Sequence, residues 1–514
     1  MKWYHNPPIN LSGPRVDLNG DFSLEITIDN SLHPEQAAHI DLYGTLPVLY
    51  DEWRQDGRNI RFTLKNGGVS VFVNMVKAPF TGSNVGSLVK LKLQRQDNQL
   101  IFFVNGTKIG YLNENLKDSV FLNNQIYFGA DAELGGGFTI NSISVNGAKV
   151  SDNGAEMIKK YVVPQDSLKA YANHLQRSLP IGTAAHANGL LSDPKYGQIL
   201  AQNFSMITPE FDFKFQAIHP QPHLYAFGEA DELVEFALKN NIRIHGHTLV
   251  WHEALPSWVW SLYKSGQYQQ LKTALRDHIS TGVRRYKGVI KEWDTLNEIF
   301  SSDSEDPEGF RSNSEDEDNI SIWYKAFGKQ IYIDALRKVK SIDPNCENWI
   351  NDFGIDQAES NDKLSAMIKF INYANGLGYG HLIDGIGFQS HNYNPVEDPS
   401  KASEMKYAME RIINEAHVKV RISELDVNDA SENPMLFADK LDVCLKIGSS
   451  CASFGMWGFT DKFSSMTAPA AESSMDNYTS PTWSAYLADA LIFDQHYMPK
   501  KSYHLLKETL RQAP

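Results

Sequence analysis

Four apolar, strand-like runs in the latter part of this 514-residue chain each close on a polar or titratable side chain. They are Ile242-Arg243-Ile244-His245-Gly246-His247, Glu292-Trp293-Asp294-Thr295-Leu296-Asn297-Glu298, Gly385-Ile386-Gly387-Phe388-Gln389-Ser390-His391 and Val420-Arg421-Ile422-Ser423-Glu424. A single Asn-Glu at such a point reads most simply as an exposed acid where strand gives way to loop. Recurrence changes that reading. In a parallel α/β barrel the C-terminal ends of all strands share one face, and active sites sit there. Two glutamates (Glu298, Glu424) and two histidines (His247, His391) are then brought to one rim.

The rest of this region supports such a barrel. From Pro180 onward short apolar runs alternate with stretches of helical period. Ile181-Gly182-Thr183-Ala184 and Phe204 to Glu210 are the first two strand candidates, and the four runs above supply the third, fourth, sixth and seventh. Trp349-Ile350-Asn351-Asp352 is the fifth, and Phe454-Gly455-Met456-Trp457-Gly458 the eighth. Ala230, Leu233, Val234, Ala237 and Leu238 mark one intervening helix, and Ile331 to Val339 another. A (β/α)8 (TIM) barrel over residues 179–514 is the expectation. Residues 151–178 are expected to be a linker, with helical spacing from Met157 to about Arg177.

The first 150 residues follow a different period. Phe22, Leu24, Ile26 and Ile28 alternate with polar neighbours, as do Ile60–Leu64, Val69–Val73, Val89–Leu93 and Ile140–Val145. Asp97-Asn98 and Asn105-Gly106 are hairpin signals. An antiparallel β-sandwich, jelly-roll-like, is expected. Leu91-Lys92-Leu93-Gln94 and Leu100 to Gly106 resemble the concanavalin-like and laminin-G-like sandwiches, which implies glycan binding as one option and a spacer as the other. Tyr43, Tyr50 and Trp53 are candidates to stack on sugar or to fill the sandwich core.

Charge narrows the partners. Lys and Arg number 48 against 62 Asp and Glu, a net charge of −14. With no basic stripe, neither nucleic acid nor an anionic membrane is expected as a partner. A monomer is expected. Met1-Lys2-Trp3-Tyr4-His5-Asn6 opens no apolar signal segment, so either a leader has been removed for secretion or the periplasm, or the protein stays in the cytoplasm. Cys346 reads as a small core residue, while Cys444 and Cys451 are spaced to bridge in an oxidising compartment. The acids from Asp303 to Asp318, opposed by Arg311 alone, read as a solvated, mobile loop.

Two glutamates across a cleft are what glycoside hydrolysis needs: one protonates the departing oxygen, the other attacks or activates water. No nucleophile elbow, dinucleotide-binding turn or P-loop occurs, and no Cys and His spacing resembles a zinc site, so neither cofactor nor metal is expected. His245-Gly246-His247-Thr248-Leu249-Val250-Trp251-His252, Trp293 to Glu298, Gly387 to His391 and Ile422-Ser423-Glu424-Leu425-Asp426 resemble glycoside hydrolase family 10, the β-1,4-xylanases. That resemblance implies a retaining hydrolase of polysaccharide or oligosaccharide, with Glu298 as acid/base and Glu424 as nucleophile. It implies that Asn297 bonds the sugar 2-hydroxyl and that His391, oriented by Asp426, bonds the nucleophile. Glu210, Lys214, His247, Trp251, Gln389 and Trp457 would line the substrate subsites.

Three positions depart from the family pattern. Phe211 stands where the motif after strand two has a sugar-binding amide, and Ala254, after Glu253, where a glutamine is usual. No second tryptophan occurs from Phe459 through Met466, where Ser465 sits near its place. The alternatives are therefore a xylanase, a hydrolase of a substituted β-glycan or other glycoside, and a non-catalytic glycan-binding barrel.

Overall fold

The computed structural model describes residues 2–4, 12–17, 21–31, 38–44, 59–73, 76–96, 99–113, 124–130, 137–147, 149–151, 159–220, 222, 225–302, 304, 306–312, 320–356, 362–392, 400–428, 430–464 and 489–513. They form two compact units: one is Met1–Met157 with Gln216–Glu232 and Pro256–Trp258, the other the remainder.

In the first unit two antiparallel sheets share one core. One sheet runs, edge to edge, through Lys2–Tyr4, Gly137–Asn146, Phe22–Asp29, Leu88–Gln96, Gln99–Val104 and Thr107–Asn113. The other runs through Lys149–Ser151, Ser12–Asp17, Asn124–Ala130, Ala38–Gly44, Asn59–Lys65, Gly68–Val73 and Val76–Gly82. Burial alternates strictly along Phe22–Asp29, as the period-two pattern requires. Phe22, Leu24, Ile26, Leu91, Leu93 and Phe102 of one sheet and Ile40, Ile60, Phe62 and Val71 of the other belong to that core. Phe62 and Phe102 meet across it at 5.9 Å between ring centroids. Asn105 and Gly106 have φ of 49° and 81°, the two left-handed residues of the tight turn that pairs Val104 with Thr107. Asp97-Asn98, Tyr50 and Trp53 lie outside the described residues, and Tyr43 is described by its backbone alone.

In the second unit eight strand positions form a nearly closed parallel barrel. The strands are β1 (Ile181–Ala185), β2 (Met206–Pro209), β3 (Gly246–Val250), β4 (Glu292–Asn297), β5 (Glu347–Asp352), β6 (Gly385–Phe388), β7 (Lys419–Val427) and β8 (Cys451–Met456). The order is β2-β1-β8-β7-β6-β5-β4-β3. Arg243–Ile244 pairs with β2 while Gly246–Val250 pairs with β4, so the third strand bridges both neighbours. Strands buried on both faces need near-continuous apolar sequence; every residue of β1, β2, β3 and β4 is buried. Gly246 is required by close packing: a Cβ there would come within 2.3 Å of the Trp293 ring.

Amphipathic helices surround these strands. Gln330–Ile342 buries Ile331, Ala335, Leu336, Val339 and Ile342, the spacing of one helical face. The leading helix is shorter than its periodicity suggests, covering Leu168–His174. Pro164 disfavours helical backbone in the residue before it, and Ser167 caps the helix by accepting from Ala170 N–H at 3.2 Å. Met157 and residues 152–156 lie outside the described residues. Cys346 is buried and free. Cys444 and Cys451 are joined as a disulfide, with Arg177 donating to both their carbonyls at 3.0 Å.

Candidate active site

The site is built where β4 and β7 deliver their glutamates. Glu298 follows the last residue of β4 with φ of 53°, a left-handed conformation that costs a non-glycine residue energy and persists only when its surroundings hold it. They do. Its N–H donates to the Asn351 carbonyl (2.9 Å), and its own carbonyl accepts from Arg311 Nε (2.9 Å). Its carboxylate accepts from Trp251 Nε1 at 2.8 Å and from Gln389 Nε2 at 2.7 Å. Glu424 lies inside β7 rather than at its end and is 4% exposed. Asn351 Nδ2 donates to Glu424 Oε1 (2.6 Å), and His391 Nε2 lies 3.1 Å from Oε2. The other His391 nitrogen is 2.8 Å from Asp426 Oδ1.

Two residues thus grip both glutamates. Asn351 uses its carbonyl on Glu298 and its amide on Glu424. Gln389 uses its amide on Glu298 and its carbonyl on the Glu424 N–H, at 3.1 Å. Gln389, a candidate sugar ligand from its motif, donates one side-chain N–H to the Glu298 carboxylate. Asn351 also donates to Asn297 Oδ1 at 2.9 Å and accepts from Ser423 Oγ at 2.6 Å. Asn351 is not among the candidates named from the strand ends, although a fifth apolar run closes on Asn351-Asp352.

Electrostatics favours the charged form of Glu424. Burial by itself would raise the Glu424 carboxyl, but the His391 hydrogen bond and the positive field of His247 and His391 hold it below its ordinary value. Glu424 is therefore an anion at neutral pH. Beneath it lies a buried charge cluster centred on Asp294. Arg421 Nη2 donates to both Asp294 oxygens at 2.8–2.9 Å, while His245 Nε2 and His247 Nδ1 each lie 2.9 Å away. Burial opposes ionisation of Asp294, yet Arg421 and His245 hold it well below the usual carboxylate range.

The Asp294 cluster carries a stability prediction. Asp294→Asn keeps the shape and strands the Arg421 guanidinium, which should cost about 3–5 kcal/mol of folding free energy. A group held low contributes fully above its unfolded value and loses that contribution as pH falls through its folded value. The deficit should therefore be constant from neutral pH to about pH 5 and shrink in strong acid. Denaturant unfolding across that range checks it; a mutant as stable as wild type would contradict it.

The remaining predicted residues fall around this pair. Lys214 Nζ sits 4.5 Å over the ring of Trp251, whose indole N–H donates to Glu298. Trp457, following β8, packs edge-on against His247 at 5.4 Å and His391 at 6.2 Å. Glu210 is buried at the end of β2, its N–H bonded to the Ala185 carbonyl at 2.9 Å. Phe211 is half-buried in the turn that follows. Ala254, with φ of 48°, offers no polar side chain. Phe353, also unanticipated, is 41% exposed just beyond β5, with Lys363 Nζ 4.0 Å and Arg311 5.8 Å from its ring.

The acidic loop after β4 is described only in part. Its described part is anchored, not loose: Phe310 is buried and stacks on Phe300 at 4.8 Å. Asp306 accepts from Tyr324 OH at 2.7 Å, and Arg311 ties the loop back to Glu298. Asp303, Glu305, Glu315, Asp316, Glu317 and Asp318 lie outside the described residues, as does Ser465.

Comparison with known proteins agrees with this arrangement. A family model described as glycosyl hydrolase family 10 matches residues 167–509. Endo-1,4-beta-xylanase B of Thermotoga neapolitana is 31% identical over 347 residues, spanning 65% of this chain and 89% of its own. Endo-1,4-beta-xylanase 3 of Hypocrea jecorina is 30% identical over 326 residues, spanning 63% and 81%. Among solved structures, xylanase 10B from Thermotoga maritima superposes with a TM-score of 0.55 at 31% identity, covering 67% of this chain and 98% of its own. Xylanase 10B from Thermotoga petrophila, in complex with xylobiose, gives 0.55 at 32%, covering 67% and 97%.

Proposed function

Because the chain belongs to glycosyl hydrolase family 10 and is an endo-1,4-β-xylanase-like enzyme, we propose that it cleaves β-1,4-linked xylan, or a substituted relative, by double displacement. Glu424 attacks the anomeric carbon and forms a covalent glycosyl-enzyme. Glu298 first protonates the departing oxygen, then takes a proton from the water that releases the sugar.

The observation that carries this reading is the contrast between the two glutamates. Glu424 is buried and held anionic by His391, which suits a nucleophile that must be charged before substrate arrives. Asp426 fixes the His391 ring, so the imidazole presents one nitrogen steadily to Glu424. Glu298 is less buried and is aimed by two N–H donors on rigid neighbours. Asn297, held by Asn351, has its own amide N–H available to a sugar hydroxyl beside the reacting carbon.

Substrate choice rests on Phe211. An amide there would exchange hydrogen bonds with sugar hydroxyls; a phenyl ring offers apolar surface alone. Each lost bond to a neutral sugar costs about 0.5–1.5 kcal/mol, roughly three- to tenfold in rate. Plain xylo-oligosaccharides should therefore be cut less efficiently than a β-glycan carrying an apolar substituent or aglycone. Reducing-sugar release across a glycan panel, with wild type and Phe211→Asn side by side, checks both levels. Release from no β-glycan would sink the hydrolase reading of the site. Wild type should prefer the substituted glycan, and Phe211→Asn should gain on plain xylo-oligosaccharides while losing on that preferred one. A loss on both would make Phe211 a packing residue. For the N-terminal unit, glycan binding remains the companion proposal, supported by its exposed Tyr111.

A further inference from the structure

The loop after β3 brings a second carboxylate and an imidazole beside Glu298. His252, Glu253 and Glu298 each offer one donor atom, and the three atoms lie within 4.8 Å of one another. His252 Nε2 stands 3.3 Å from Glu253 Oε1. The imidazole is 4% exposed, yet its Nδ1 has no hydrogen-bond partner among the described residues. Buried ring nitrogens are ordinarily satisfied; here Nε2 is the nitrogen beside the Glu253 carboxylate. The Glu253 side chain, 41% exposed, leaves the cluster open to solvent on one side.

We propose that His252, Glu253 and Glu298 form a binding site for a borderline divalent transition metal such as Zn2+, and that the bound ion inhibits the enzyme. The donor chemistry selects the metal. One imidazole nitrogen with two carboxylate oxygens suits zinc, whereas calcium and magnesium take oxygen ligands, more of them, and usually keep several waters. Two carboxylates neutralise the ion's charge, and three protein ligands leave a fourth position for water. Glu298 has capacity to spare, since a carboxylate offers about four lone-pair sites and Trp251 and Gln389 occupy one each. A carboxylate engaged by metal cannot deliver a proton to the leaving oxygen. That inhibitory consequence rests on the acid/base role proposed for Glu298; the binding itself rests on the three donors alone.

Glu253 is the residue to change, because it takes no part in the catalytic arrangement. Calorimetric titration of the full chain with zinc chloride should show a site that Glu253→Gln weakens at least about tenfold. Thermal unfolding of Glu253→Gln should match wild type, and the zinc response of each protein is read against its own metal-free turnover, because Glu253 lies close enough to Glu298 to alter its field. In the presence of zinc, wild-type hydrolysis should fall, and Glu253→Gln should need a correspondingly higher concentration for the same loss. Equal zinc affinity in the two proteins, or no binding in either, would overturn the site. Zinc bound at a Glu253-dependent site with turnover unimpaired would overturn the inhibition and count against the acid role of Glu298.

Discussion

Glu424→Gly is expected to be nearly inert and to regain turnover when sodium azide is added, releasing a glycosyl azide of α configuration. Removing the Glu424 side chain opens a space on the face of the sugar from which the nucleophile attacks, and a small anion can occupy it. His391 and Asn351, which bond Glu424 in the intact protein, remain to receive that anion. Substitution by azide from this face is a single inversion, so a β-linked substrate gives the α product. The loss before rescue should be large, of the order of 10⁴-fold or more, as for removal of other covalent nucleophiles. An activated aryl glycoside should be used, so that departure of the leaving group needs no help. A β-azide would exchange the roles of Glu424 and Glu298.

Glu298→Ala should behave differently on different substrates. A general acid contributes most when the leaving group is poor, and little when it departs unaided as an activated phenolate. Glycosylation by a nitrophenyl-type xylobioside should barely slow, whereas cleavage of the natural glycan should fall by about 10²–10⁴-fold. In the proposed mechanism the second step also uses Glu298, as a base toward water, so the activated substrate should show a burst followed by slow steady turnover. Equal losses on both substrates would remove Glu298 from the acid role. The indole of Trp251 and the amide of Gln389 lose their acceptor in this mutant, so a Glu298→Gln control, which retains the shape, separates misplacement from lost proton transfer.

Much of this site was legible because strand ends in a barrel obey a simple rule. An apolar run buried on both faces has no reason to end on Asn-Glu, Gln-Ser-His or Ser-Glu unless those side chains face the catalytic rim. The eight strand positions follow from the same runs, and the β4 register of Trp293 to Asn297 against β5 keeps Asn297 beside Asn351. What the runs could not disclose is pairing between distant positions. Arg421 is conspicuous as a lone cation within Val420-Arg421-Ile422, but nothing local names Asp294 as its counter-charge. In the described part of the acidic loop, charge counts say nothing of Phe310, a single buried ring that anchors its own neighbourhood. Apolar spacing alone extends the leading helix back through Pro164, whereas residues 159–167 are not helical. His252 and Glu253 gave no metal-site spacing either, since the third donor, Glu298, comes from the next strand.

The central claim, that Glu424 is the nucleophile of a retaining glycosidase, is tested most directly by trapping the intermediate. A 2-deoxy-2-fluoro-β-xylobioside with an activated leaving group slows both steps, and the good leaving group lets the first outrun the second. Peptide mapping of the inactivated protein by mass spectrometry then locates the sugar. One fluoroxylobiosyl group per chain is expected, esterified to the Glu424 carboxyl within Ile422-Ser423-Glu424-Leu425-Asp426. A sugar carried by Glu298 or any other residue, or continued hydrolysis with no adduct and an α-configured first product, would contradict it.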